Sequence, residues 1–271
     1  MGERPQARRS RARLRRTLRD VLQPTLFFVL LLVVWEVAVR TFHIPVYLLP
    51  APSVIWTDTT RITAAVAGHT LATLQTILIG FFVSIAVSLP LAVVITYSRL
   101  FANAVYPLLV VTQSIPKVAL APILVVALGV NEMPRVAVTF LVAFFPLVIS
   151  IAAGLLAVPP DLVELGRSYK ATRFQELLRI RLPYAVPFIF NGLKVAITLC
   201  VVGAVVGEFV AANRGLGYLI TSSTAFFKTP VAFGAMILLS IMGIVLFQML
   251  VIVERVFFPW SATAGEVNPS P

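Results

Sequence analysis

Long apolar runs alternate with short polar ones along most of this chain. The pattern is interrupted once, by a charged island at residues 161–183. A helix needs about 20 consecutive apolar residues to cross a hydrocarbon core. Segments 22–40, 70–96, 104–128, 136–157, 184–211 and 231–253 meet that length. They predict an all-α integral membrane protein with six transmembrane helices. Within the island, Asp161, Glu164, Arg167, Lys170, Arg173, Glu176 and Arg179 recur at every third position. Residues 136–160 carry no Asp, Glu, Lys or Arg, and 184–207 carry only Lys194. A polar, helix-patterned segment held between two spans is built to touch something outside the bilayer.

The island itself predicts two short helices. Pro159-Pro160 stops span four and starts the first helix, since proline is tolerated at the first turn. Asp161 and Glu164 then stand near its positive end, and Leu162, Leu165 and Tyr169 form an apolar stripe. Thr172 with Gln175 three residues on is a capping-box pattern for the second helix, one face of which is marked by Phe174, Leu177, Leu178 and Arg181. A bend is expected near Lys170. A plain solvated loop would need neither the caps nor the aromatic residues; a docking element needs both. In the first connection, 49–53 reads as a turn, with Ser53 capping a short interfacial helix that carries Ile55, Trp56 and Ile62. Pro90, Pro107, Pro116, Pro122, Pro146 and Pro187 fall in or beside spans, where each frees a carbonyl that turns toward protein or a cavity.

Composition supports the membrane assignment. Mean hydropathy is +0.96 and only 12% of residues are charged, against roughly 25% in soluble domains. The net charge of +11 comes largely from the basic arm at 1–21, where eight arginines face Glu3 and Asp20. Such an arm before an apolar span marks the cytoplasmic side and contacts anionic membrane lipid. No aromatic residues interleave the arginines, which argues against nucleic acid as a partner. With the arm inside, six crossings place both termini in the cytoplasm, including the tail at 258–271, and the island faces inward as a loop at 159–183 of a 22–257 membrane domain. Residues 22–39 read as an uncleaved first span rather than a signal peptide. Cys200 is the only cysteine, so a disulfide within the chain and a Cys-rich metal site are excluded.

Glu164-Leu165-Gly166, then Lys170, then Ile180-Arg181-Leu182-Pro183 resembles the cytoplasmic EAA loop of binding-protein-dependent ABC transporter permeases. That loop has a Glu-Ala-Ala triplet, three residues, a Gly, nine residues and Ile-x-Leu-Pro, and the spacing here fits without gaps. Leu49-Pro50-Ala51-Pro52, Gly80-Phe81, Ser114-Ile115-Pro116-Lys117, Phe145-Pro146, Gly207-Glu208 and Gly215-Leu216-Gly217-Tyr218 are similar to the nitrate/sulfonate/taurine-type branch. The chain departs from the loop pattern twice. Leu165 and Gly166 replace the alanines, and Lys170 replaces the glycine of the bend. A left-handed lysine costs about 1–2 kcal/mol, of which the helix dipole returns about 0.3–1 kcal/mol.

The resemblance implies a type I ABC importer permease (MetI-like) architecture with cytoplasmic coupling helices, in the bacterial inner membrane. It implies a path for a small solute such as a sulfonate, taurine or nitrate; some members of the branch handle pyrimidine or other heterocyclic precursors. The implied partners are two copies of an ATPase subunit, a second copy of this permease, and a periplasmic or lipid-anchored solute-binding protein. No Gly-x-x-x-x-Gly-Lys-Ser/Thr segment occurs in the chain, so ATP and Mg2+ are expected on the ATPase. No catalytic residue, cofactor or metal is expected here. The residues the resemblance assigns to ATPase coupling are Leu162, Glu164, Leu165, Gly166, Tyr169, Lys170 and Phe174, with Ile180, Leu182 and Pro183 ending the motif.

Ionisable residues at membrane depth are the remaining candidates. Lys117 and Lys194 either line the path and attract an anion or snorkel to the inner surface. Glu208 either closes an outer gate or forms a structural pair with Arg214. Glu36 and Arg40, at i and i+4, read as an interfacial ion pair. His43 and His69 are too far apart in sequence to argue a metal site. The competing class is a stand-alone ion-coupled secondary carrier, which needs mid-membrane carboxylates and usually a repeat; the carboxylates here lie at span ends. An intramembrane enzyme would need a His/Glu or Ser/His arrangement that the spans lack.

Overall fold

The computed structural model describes residues 5–264, and every regular element among them is helical. In order these are α1 (Pro5–Thr41), α2 (Pro52–Arg61), α3 (Thr63–Tyr97), α4 (Arg99–Thr112), α5 (Ala121–Leu128), α6 (Met133–Leu156) and α7 (Pro160–Ser168). They continue as α8 (Arg173–Glu176), α9 (Leu182–Ala211), α10 (Leu216–Ala225), α11 (Thr229–Phe257) and α12 (Pro259–Ala264). The basic arm is described from Pro5 onward by its backbone alone, which is continuous with α1; residues 1–4, and 265–271 of the tail, lie outside the described residues.

Among the described residues, five helices are long and apolar enough to cross a membrane: Leu22–Thr41, Thr63–Tyr97, Met133–Leu156, Arg173–Val210 and Thr229–Phe257. The expected third span is not one straight helix. Leu100–Thr112 and Lys117–Leu128 meet at an 84° bend, and counting that pair as one span gives six. The break falls at Ser114-Ile115-Pro116, because Pro116 brings no N–H and biases Ile115 away from the α region. Lys117 secures the break: its Nζ donates to the carbonyls of Thr112 at 3.0 Å and Gln113 at 3.3 Å, and lies 4.9 Å from the centre of the Phe145 ring. It caps carbonyls freed at the end of α4, where a cation is favoured.

The helices divide into two compact units, Met1–Ile62 with Ser223–Gly234, and Thr63–Ser222 with Ala235–Pro271. In the first, Ser53 does not cap α2 as expected, because Pro52 takes the first helical position and makes Ala51 the cap. The Ser53 N–H and hydroxyl instead donate to Glu36 at 3.1 and 2.8 Å, and Glu36 also pairs with Arg40 at 2.6 Å. The expected ion pair is thus present, and its carboxylate serves the start of α2.

In the second unit α6, α9 and α3 build the core, with Ile77, Leu147, Ile151, Ala196 and Ala204 fully or almost fully buried. Lipid gives no hydrophobic drive between helices, so close contact must supply the attraction. Gly203 and Gly207 meet that need: a Cβ on either would stand 2.8 or 2.7 Å from the Cα of Thr139 or Arg135. Ser84 and Ser88 add hydroxyl donations from α3 to the carbonyls of Phe140 and Phe144, both at 3.3 Å.

Candidate functional site

The charged island folds as two short helices with a sharp bend between them. In α7 only Val163 is buried, and it anchors a helix whose Leu162, Leu165 and Tyr169 face outward. Exposure reaches 81% at Tyr169 and 69% at Phe174, which for large apolar side chains marks a surface awaiting a cover. Glu164 is exposed. Lys170 ends α7 in the left-handed region at φ 55°. The N–H of Ala171 donates to Gly166 O at 3.0 Å around it, the return bond of a Schellman ending. The bend thus falls at Lys170, the position where the EAA-loop pattern has its glycine. Thr172 and Gln175 form the expected capping box, with Thr172 N–H to Gln175 Oε1 at 2.9 Å and Gln175 N–H to Thr172 Oγ1 at 3.3 Å.

Gly166 and Ile180, two residues of the motif, pack on each other. A Cβ on Gly166 would stand 2.6 Å from Ile180 Cδ1, so the small residue brings the two arms of the loop together. Leu182 and Pro183 open α9. Beside the loop lies a cavity of about 980 Å³ lined by Leu165, Gly166, Tyr169, Ile180, Pro183 and Lys194, among others. Lys194 contributes to its wall already neutralised, with Nζ 2.5 Å from Glu254, which also accepts from Ser261 Oγ at 2.7 Å.

A buried hub that sequence reasoning missed holds the loop to the spans. Glu176 is 4% exposed and accepts from Arg181 Nε at 2.6 Å. Arg181 also donates to Leu155 O at 2.8 Å and lies 5.5 Å from the Tyr97 ring, whose hydroxyl donates to Arg173 O at 3.1 Å. The five residues Leu177–Arg181 form a wide π turn, and this brings i and i+5 onto one side. A sequence reading that assumes 3.6 residues per turn sets Arg181 on a face with Phe174, Leu177 and Leu178, looks for Glu176 partners at i+3 and i+4, and misses the pairing of the two.

At the other end of α9, Glu208 is 1% exposed. Its carboxylate accepts from Thr73 Oγ1 at 2.8 Å and from the N–H of Gly217 at 2.8 Å, while Thr73 Oγ1 accepts the N–H of Leu216 at 2.7 Å. Glu208 and Thr73 together cap the start of α10. Gly215, at φ 123°, runs so close to the carboxylate that a side chain there would collide with it. Of the two alternatives for Glu208, the structural pair with Arg214 does not form; Arg214 reaches Glu132 instead. Glu132 is also held by Arg135 Nη2 at 2.6 Å. The Arg214 hydrogen bond, and then the charge of Arg135, hold the Glu132 carboxyl below the usual carboxylate range. His69 accepts from the N–H of Gly215 at 3.0 Å. Among the described residues no three His, Cys, Asp or Glu side chains gather as a metal site would require.

Against known proteins, a family model described as "Binding-protein-dependent transport system inner membrane component" matches residues 84–261. The chain is 38% identical over 242 residues to the formylaminopyrimidine transport permease protein ThiX of Halalkalibacterium halodurans, covering 89% of this chain and 96% of that one. It is 33% identical to the riboflavin transport system permease protein RibX of Chloroflexus aurantiacus, over 86% of this chain and 88% of the other. The taurine transport system permease protein TauC of Escherichia coli K12 is 27% identical over 89% and 88%. Among solved structures, an inward facing conformation of the MetNI methionine ABC transporter matches with a TM-score of 0.62 at 20% identity, over 72% of this chain and 97% of that one. At that identity the likeness is one of fold.

Proposed function

Because this chain belongs to the binding-protein-dependent transport inner-membrane component family and is a multi-pass permease subunit of an ABC importer, not an enzyme, we propose that its 159–183 loop is the coupling element. In this reading the first loop helix seats in a groove of a separate ATPase that binds ATP and Mg2+. Leu162, Glu164, Leu165, Gly166, Tyr169, Lys170 and Phe174 make the contact. Two ATPases act on two copies of this permease, in the bacterial inner membrane with both termini cytoplasmic. A periplasmic or lipid-anchored binding protein delivers the solute at the far end.

The observation that carries this reading is the combination of exposed and buried groups in one short segment. Tyr169 and Phe174 are bare, while Glu176 and Arg181 tie the same segment firmly to α3 and α6. A docking lever needs a free face and a stiff attachment, since it passes one partner's differential binding to the spans. We place the solute among sulfonates, taurine, nitrate and similar small molecules. The 38% and 33% identities to formylaminopyrimidine and riboflavin permeases favour a nitrogen heterocycle as a second reading.

The test is Glu164→Ala with Tyr169→Ala in the assembled complex. Solute-stimulated ATP hydrolysis and transport should fall at least about tenfold, equivalent to ~1.4 kcal/mol of coupling, with assembly of the permease in the membrane unchanged. Full transport by the double variant would remove the loop from the coupling path.

A further inference from the structure

We propose that Arg135 and Arg214, at the end of α6 remote from the coupling loop, form a binding site for a small oxyanion, a carboxylate, sulfonate or sulfate, which takes the place that Glu132 now holds. The two guanidiniums border a cavity of about 490 Å³ together with Asn131, Glu132 and Asn213, a size suited to a small ligand.

Arg135 is 5% exposed, unusual for a guanidinium, and it is fixed in place. Its backbone stands against Gly207 of α9, and its Nη1 donates to Arg214 O at 3.3 Å. Its Nε is buried with no hydrogen-bond partner. Arg214 approaches from the turn after α9 and donates to the same oxygen, Glu132 Oε1, that receives Arg135 Nη2. One carboxylate oxygen therefore serves two guanidiniums that offer five N–H donors each. A cluster built for structure alone would match its donors, because a buried unmet donor costs free energy.

Glu132 is the replaceable member. Its side chain is 56% exposed and sits just outside α6, after a turn opened by Gly129 at φ 83°. Rotation of that side chain leaves two cations facing the cavity, one of them desolvated and so more strongly attracting. Glu208 accepts its hydrogen bonds from Thr73 and Gly217, and its charge acts on Arg135 only through space. A tetrahedral or planar oxyanion offers several acceptor atoms where Glu132 now offers one, and fork-shaped guanidinium donors suit such groups. The site stands on this geometry whether or not the coupling loop acts as proposed.

The test uses the full chain in phosphatidylcholine nanodiscs, a bilayer whose zwitterionic headgroups carry no net charge. Sodium methanesulfonate and sodium sulfate are titrated calorimetrically against sodium chloride at equal ionic strength. Saturable binding beyond chloride is expected for the wild type. Glu132→Gln removes the competing carboxylate and should tighten binding about tenfold or more, while Arg214→Gln should weaken it by a similar factor. Arg135→Gln would abolish binding but removes a buried group, so the half-exposed Arg214 carries the decision if that variant fails to fold. Heats equal to those of chloride in both wild type and Glu132→Gln, or weaker binding in Glu132→Gln, would overturn the proposal.

Discussion

At one end of the α6–α9 pair, Tyr169 and Phe174 stand 81% and 69% exposed and Lys170 holds a left-handed bend. At the other, Glu208 is 1% exposed, with Thr73 and Gly217 donating to its carboxylate. The first end leaves apolar surface bare and accepts backbone strain; the second buries a charged group and satisfies it completely. The difference is one of what completes each end. The cluster around Glu208 closes on groups from the same chain, so its residues act on stability. The loop leaves Tyr169 and Phe174 uncovered, so under the proposed coupling role its residues act on transport rather than on stability.

The largest expected effect separates the two ends directly. Glu208→Ala leaves the Gly217 N–H buried without its acceptor and opens space beside Gly215, which should cost about 2–3 kcal/mol. Glu164→Ala at the loop should cost nothing measurable in isolated permease, because Glu164 is exposed. Unfolding midpoints of the two variants in one detergent measure this. Equal midpoints would erase the distinction between the self-completed Glu208 cluster and the open loop. A smaller effect sharpens it further. Lys170→Gly removes the left-handed penalty but also the favourable charge at the α7 end, a net gain of about 0.5–1 kcal/mol. Transport should fall, since Lys170 is among the residues proposed to contact the ATPase. Full transport with a gain in stability would show that the bend alone, and not the Lys170 side chain, serves the ATPase.

Much of this was legible locally. Apolar runs located the spans, Thr172 and Gln175 announced the α8 cap, and the motif spacing placed the bend at Lys170. Each depends on residues within a few positions of one another. The break in the third span was signalled by Pro116, but an apolar run long enough to cross the membrane hid it. The remaining features join residues remote in sequence. Glu36 reaches Ser53, Lys194 reaches Glu254, Arg214 reaches Glu132, and Glu208 reaches Thr73 across 135 positions. Such pairs depend on how helices cross, and a single sequence states crossings only faintly. One faint statement was present: Gly203 and Gly207, four apart in an apolar run, mark a surface where another helix comes close. It names the face of α9 without naming α6 as the partner.

The smallest effect concerns pH, and it falls on the far end alone. Glu132 lies outside the spans, and its two arginine partners keep its folded-state pKa below the ordinary value. A carboxyl depressed on folding contributes stability that is present above the unfolded pKa, about 4.3. That contribution fades as pH falls through the folded value, because the unfolded chain then binds the proton more readily. Between neutral pH and about 5 the cluster should add a constant increment, with decline confined to more acid conditions. Solvent around the half-exposed carboxylate screens the pair and keeps the increment small. Comparing wild type with Glu132→Gln isolates it: the difference in unfolding midpoint should be flat at neutral pH and shrink toward zero in acid. A difference that grows on acidification would mean that Glu132 opposes the fold while charged, and that the two arginines are held by something other than this carboxylate.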